Sequence, residues 1–172
     1  MSHMSERVPA SIDWLDRGEA ETWRTFLDAN RALFSALESQ LNADSQMPLA
    51  YYEILVALSE APERTLRMGT LAASTRSSSS RLSHAVARLE KCGWVSRQSH
   101  PSDRRGQVAA LTDKGAEALA AASPGHVRAV REYLIDALTP EQRVALTDIS
   151  RAICAATTAH ATGTPAPHPH EG

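Results

Sequence analysis

Apolar side chains recur at helical intervals along most of this chain, and the breaks in that rhythm divide it into elements. From Ile12 to Leu41 they fall at Trp14, Leu15, Trp23, Phe26, Leu27, Leu33, Phe34, Leu37 and Leu41, which predicts one or two amphipathic helices. A stripe this long must be covered, and in a chain of this size part of the cover is expected from a second subunit. Pro48 opens a second predicted helix that runs through about Ser59 with Tyr51, Leu55 and Leu58 on one face, and Ala61-Pro62-Glu63 ends it. Arg67 to Ser74, with Met68, Leu71 and Ala72, predicts a short third helix. The hydroxyls of Ser74, Thr75 and Ser77 to Ser80 then offer caps and a turn, because such side chains compete well for free backbone N–H groups.

A fourth helix is predicted from about Ser78 to Lys91 or Cys92. Leu82, Ala85 or Val86, and Leu89 form its inner face, which leaves Ser80, Arg81, Ser83, His84 and Arg88 outward or flanking. Gly93 suits its end, since glycine tolerates positive φ. Trp94 to Gln98 and Gln107 to Leu111 are short β-prone runs around a polar turn containing Asp103-Arg104-Arg105-Gly106, the pattern of a two-stranded wing. Thr112 can cap a fifth helix from about Asp113 to Leu138, which Pro124-Gly125 is expected to kink or break. Thr139-Pro140-Glu141-Gln142 reads as a capping box with proline at the first helical position, opening a last helix through Ala155 or beyond. The fold class is therefore mainly α: a helix-turn-helix with a small β-hairpin wing, flanked by N- and C-terminal helices.

Composition changes this picture in one respect. The 172 residues carry a formal net charge of −2, which alone argues against a nucleic-acid partner. Between Arg64 and Arg105, however, nine basic side chains face only Glu90 and Asp103, and the remainder of the chain holds nine basic against eighteen acidic. Phosphate binding needs such local concentration of cations, and an acidic remainder keeps the molecule soluble. Two cysteines are too few for a disulfide framework; no stretch suits a bilayer span or secretory leader, so a cytoplasmic setting without membrane contact is expected. Met1-Ser2-His3-Met4 reads as a cloning scar before a native start at Met4, and the Pro- and Gly-rich tail from Thr162 is expected to be disordered. Its His168 and His170 make a poor metal site, and no cofactor is expected.

A helix fits the major groove of double-stranded DNA, so exposed residues near the start of the fourth helix are the candidates to read sequence. These are Ser78, Ser80, Arg81, Ser83 and His84, with Arg88 further along. Arg81 is suited to bidentate bonding with guanine. In the wing, Arg104 and Arg105 are candidate DNA contacts, with Arg105 suited to a narrow minor groove. Asp103 would pair with a helix arginine such as Arg88 and so lock the hairpin, and Gly106 would permit a tight turn near the duplex.

These residues resemble the MarR family of winged helix-turn-helix regulators. The resemblance rests on Leu71-Ala72, Ser80-Arg81-Leu82-Ser83, Arg88-Leu89-Glu90, Gly93-Trp94-Val95, Asp103-Arg104-Arg105-Gly106 and Leu111-Thr112-Asp113-Lys114-Gly115, and covers about residues 12–158. It implies a homodimer with interleaved terminal helices, binding a pseudo-palindromic operator as a repressor that a small aromatic or phenolic effector releases. By position it makes Arg105 the wing-tip arginine and Asp103 its organising carboxylate, while His84 stands where many relatives have arginine. The implied organisation is a scar and disordered N-terminus over 1–11, dimerisation helices over 12–45, the DNA-binding winged domain over 46–112, further dimerisation helices over 113–160, and a disordered tail over 161–172.

Trp14, Trp23, Tyr51, Tyr52 and His126 are the candidates to line an effector cleft, although aromatics at helical spacing usually pack. Two rival functions follow from other features. Thiol-oxidation sensing would need Cys92 or Cys154 in a cationic, thiolate-favouring position, whereas Cys92 sits near a helix C-terminus and Cys154 in an apolar helix. A winged helix used for protein contacts would show apolar side chains where Ser, Arg and His stand. No phosphate loop, metal spacing or nucleophile elbow supports an enzyme.

Overall fold

The computed structural model describes residues 13–100 and 103–161. The chain forms two compact units that divide between Ala36 and Leu37. The division falls inside one long helix, α1 (Arg17–Ser45). Its start is fixed by a reciprocal cap: the Asp16 N–H donates to Glu19 Oε2 at 2.8 Å, and the Glu19 N–H donates to Asp16 Oδ1 at 2.9 Å. Trp14 and Leu15, expected on the helix, precede it. In this N-terminal unit Trp23 stacks on Phe26, and both are exposed, as is Phe34.

The second unit begins where α1 turns apolar side chains into a core, at Leu37 and Leu41. α2 (Leu49–Ser59) follows Pro48, whose side chain cannot cap. Glu38 does so instead, its Oε2 accepting the Leu49 N–H at 2.8 Å. After a 3₁₀ turn at Pro62–Arg64 come β1 (Thr65–Arg67), α3 (Met68–Ser74), α4 (Ser79–Cys92), β2 (Val95–His100), β3 (Asp103–Leu111), α5 (Asp113–Val130), a π-helical turn at Arg131–Ile135 and α6 (Pro140–Ala161). Leu41, Met47, Leu55, Leu58, Leu71, Leu82, Val86 and Leu89 are fully buried at the centre, joined by Val95, Ala109 and Leu111 of the hairpin and Leu119 and Ala122 of α5. Residues from six elements thus close over the inner face of α4.

Three features depart from the sequence reading. The sheet has three antiparallel strands in the order β1-β3-β2, because Thr65 to Arg67 pair with Val108 to Ala110. The hairpin is also longer than expected, so Asp103, Arg104, Arg105 and Gly106 lie in β3 and not in the turn. Ser99 pairs with Gln107 but His100 with Asp103, which leaves Arg104 to Gly106 in a register irregularity on the longer strand. Backbone pairing needs no apolar alternation, which is why a polar run escaped the strand pattern. Finally, α5 passes through Pro124 and Gly125 without a break. Leu119, Ala122 and Ala129 are buried on one side of it and hold the helix across the hydrogen bond that proline cannot make. The helix ends at Val130, before the expected Leu138, and gives way to the π turn.

Candidate nucleic-acid interface

The local rules at the ends of α4 fix which side it shows. Ser78 is the N-cap, its hydroxyl oxygen accepting the Arg81 N–H at 3.3 Å. Gly93 closes the helix at φ 74, where the N–H groups of Gly93 and Trp94 return to the carbonyls of Glu90 and Leu89. Between these ends Leu82, Val86 and Leu89 are buried, and Ser80, Arg81, Ser83, His84 and Arg88 are all exposed. Among the described residues, neither Arg81 nor Arg88 has a carboxylate partner. The outer face therefore presents cations, hydroxyls and an imidazole whose hydrogen-bonding groups remain open to a ligand, apart from the Ser78 oxygen engaged in the cap.

The wing is seated by contacts at its root. Thr112 N–H donates to the Trp94 carbonyl at 3.0 Å, while the Thr112 hydroxyl donates to the Gly93 carbonyl at 2.7 Å and accepts the Gly115 N–H at 3.0 Å. One residue thereby caps α5 and joins its start to the end of α4. Gly115 is buried against the same carbonyl: a Cβ there would lie inside van der Waals distance of Trp94 O, and 2.8 Å from Leu111 Cδ1. The Leu-Thr-x-x-Gly sequence is thus a packing device that holds the hairpin against the helices.

A second tie runs from the hairpin to α4 and was not anticipated. Glu90 accepts the Arg97 backbone N–H at 3.1 Å through Oε1, and its Oε2 lies 2.9 Å from Arg97 Nε. Arg97 Nη2 donates to the Ser83 carbonyl at 2.8 Å. The sequence reading gave the locking role to Asp103 and Arg88; the side chain of Asp103, like those of Arg104 and Arg105, lies outside what the structure describes. The sequence carried a signal for Glu90 alone, as one of two acidic residues in a segment with nine basic ones; nothing in it singled out Arg97 among the nine.

Of the aromatic residues considered for an effector cleft, the structure joins two. The rings of Tyr52 on α2 and His126 on α5 have centroids 4.4 Å apart, and Tyr52 Oη donates to Ser123 Oγ at 3.2 Å. Burial pushes the His126 imidazole below its ordinary pKa, and its buried Nδ1 has no hydrogen-bond partner among the described residues. Tyr51 is half-buried beside the core. Trp14 and Trp23 belong to the N-terminal unit, where they are 80% and 51% exposed. Cys92 ends α4 exposed, and the half-buried Cys154 accepts from Arg76 Nη2 at 3.3 Å. Among the described residues no His, Cys, Asp and Glu cluster suits a metal ion, and no helix is long and apolar enough to cross a membrane.

A winged helix-turn-helix with an open cationic recognition face defines the class of transcriptional regulators, and comparison with known proteins refines it. Residues 45–106 match the MarR family. The chain is 50% identical to Sco3205 of Streptomyces coelicolor, a MarR family transcriptional regulator solved in complex with DNA, over 82% of this chain and 92% of that one, with a TM-score of 0.80. It is 40% identical to AbsC, a MarR family transcriptional regulator of the same organism, over 89% of this chain and 100% of that one, with a TM-score of 0.79. BpsR of Bordetella bronchiseptica, whose DNA binding is regulated by 6-hydroxynicotinic acid, shares the fold at 18% identity and a TM-score of 0.69, over 78% of this chain and 98% of that one. No curated protein matches. The chain belongs to the MarR family of transcriptional regulators, which are not enzymes.

Proposed function

We propose that this protein is a homodimeric, sequence-specific DNA-binding repressor that recognises a pseudo-palindromic operator and answers to a small aromatic or phenolic effector. The observation that carries the DNA part is the outer face of α4, where Ser80, Arg81, Ser83, His84 and Arg88 are exposed together while the opposite face is locked into the core. Arg81 reads guanine, Arg88 and the wing residues Arg104 and Arg105 meet the backbone and minor groove, and Asp103 and Gly106 shape the wing. The DNA complex of the 50% identical Sco3205 supports the reading. Polar and cationic side chains on the recognition face speak against a module for protein contacts.

Two-fold symmetry sets half-site centres about one helical turn apart, roughly 10 base pairs. The exposed apolar residues Val144, Ile149 and Ile153 of α6 offer one surface for a second subunit to cover, and Trp23, Phe26 and Phe34 of the N-terminal unit, taken by itself, offer another. Effector response has support in the regulation of BpsR by 6-hydroxynicotinic acid. The test is binding of a labelled duplex from the gene's own upstream region, against a scrambled duplex, over a salt series. Tight, sequence-dependent binding that weakens with salt is expected. Arg105→Ala should weaken it and flatten the salt dependence, and Arg81→Ala should lose about 1–3 kcal/mol and relax preference at one base position. Unchanged affinity and specificity in both variants would remove the proposed interface.

A further inference from the structure

We infer that Arg97 is the positioning residue that sets the wing's angle against the recognition helix; the inference rests on the DNA-binding reading above. Arg97 lies on β2 opposite Ala109 and reaches back to α4 at two places. Its backbone N–H donates to Glu90 Oε1 and its Nη2 to the Ser83 carbonyl, while its Nε lies 2.9 Å from Glu90 Oε2 as a charge contact without hydrogen-bond alignment. Ser83 and Glu90 are two turns apart on α4, about 10 Å along its axis, so one side chain braces the hairpin over a long stretch of helix. A single tie point would permit rotation; two points separated by that distance resist it.

The brace is also placed where it is effective. The Arg97 and Glu90 side chains are 23% and 34% exposed, so their attraction is less screened than that of a surface pair. Another cross-element ion pair, Arg64 with Asp113, is far more open. From Arg97 to the end of β2 at His100 the strand extends about 10 Å, and a swing of about 10° at the root moves that end by about 2 Å. A hydrogen bond to a phosphate or base edge does not survive such a displacement. Arg97 is committed to Glu90 and Ser83, so it acts on DNA through the wing and not as a contact itself.

The experiment is a double-mutant cycle on the full chain, using a duplex that the wild-type protein selects from random-sequence DNA. The cycle comprises wild type, Arg105→Ala, Arg97→Met and the double variant, with Arg81→Ala measured in both backgrounds. Arg105→Ala is expected to lose about tenfold in affinity in the wild-type background and less than about twofold beside Arg97→Met, within the range for coupled neighbours. Arg81→Ala should lose the same factor in both. Glu90→Ala removes both carboxylate oxygens from Arg97 and provides the same cycle should Arg97→Met fail to fold by circular dichroism. An equal Arg105→Ala loss in both backgrounds overturns the inference, and if the salt slope also falls by about one, Arg97 is a phosphate contact. Additivity leaves DNA binding itself standing, whereas a wild-type protein that selects no sequence removes the DNA-binding reading and this inference together.

Discussion

Gly115→Ala tests whether the wing root is as tightly built as its hydrogen bonds imply. The added methyl would press on the Trp94 carbonyl, with Trp94 C at 2.9 Å and Leu111 Cδ1 at 2.8 Å. None of these is the end of a flexible side chain except the leucine methyl, so the start of β2 must retreat from α5 by roughly an ångström, an overpacking of about 1–3 kcal/mol. The Trp94 oxygen also accepts the Thr112 N–H, and disturbing that bond adds about 1 kcal/mol. Alanine's higher helix propensity returns about 1 kcal/mol, leaving a net loss of about 1–3 kcal/mol. Gly69 is the matched control: it is also helical, and a Cβ there meets nothing within 4 Å, so Gly69→Ala should gain about 0.5–1 kcal/mol. Urea unfolding followed by circular dichroism, at one fixed protein concentration, measures both. If Gly115→Ala is as stable as Gly69→Ala, the close approach of Trp94 to α5 is wrong, and with it the account of the Leu-Thr-x-x-Gly sequence.

Ser78→Ala removes the α4 cap and should cost about 1 kcal/mol in the same unfolding assay, while Ser80→Ala, exposed and outside the cap, should stay within about 0.5 kcal/mol; equal losses would contradict the cap assignment. Burial lowers the His126 pKa, so the unfolded chain binds more protons than the folded one below the ordinary imidazole value. The resulting stability is fully present above about pH 6.5 and is lost as the pH falls through that range toward the depressed folded value. His126→Gln should flatten the thermal midpoint against pH over that window, and an unchanged profile would show that the imidazole is as hydrated in the folded protein as in the unfolded one.

Features governed by short-range rules were legible in the sequence. The left-handed Gly93, the Thr112 cap and the Thr139–Gln142 box each appear where residue type and spacing placed them, and the α4 cap falls to Ser78 within the hydroxyl cluster that offered several; Thr139 N–H donates to Gln142 Oε1 at 2.9 Å, and Gln142 N–H to Thr139 Oγ1 at 3.2 Å. What escaped depends on distant partners. Thr65-Leu66-Arg67 is too short to show a period, and it becomes a strand only because β3 arrives alongside. Pro124 is a strong breaker by local rules but is overruled by the burial of α5 on either side of it. The outward residues of α4 followed from helical periodicity, whereas the Arg97 brace required knowing how β2 folds back over the helix. Tyr52 and His126 were recognisable as candidates by type; their meeting depends on the packing of α2 against α5.

The closure at Thr112 brings the two ends of the hairpin segment together. The chain leaves the helical body at Gly93 and re-enters it at Thr112, and these two residues are bonded to each other. Beyond its core residues and the Arg97 brace, the hairpin is a loop whose ends are already held together, and the entropy of such a loop grows only slowly with its length. Changes of length or sequence beyond those ties should therefore cost the helical body little, so the hairpin's reach can be altered while the fold that carries it stays the same.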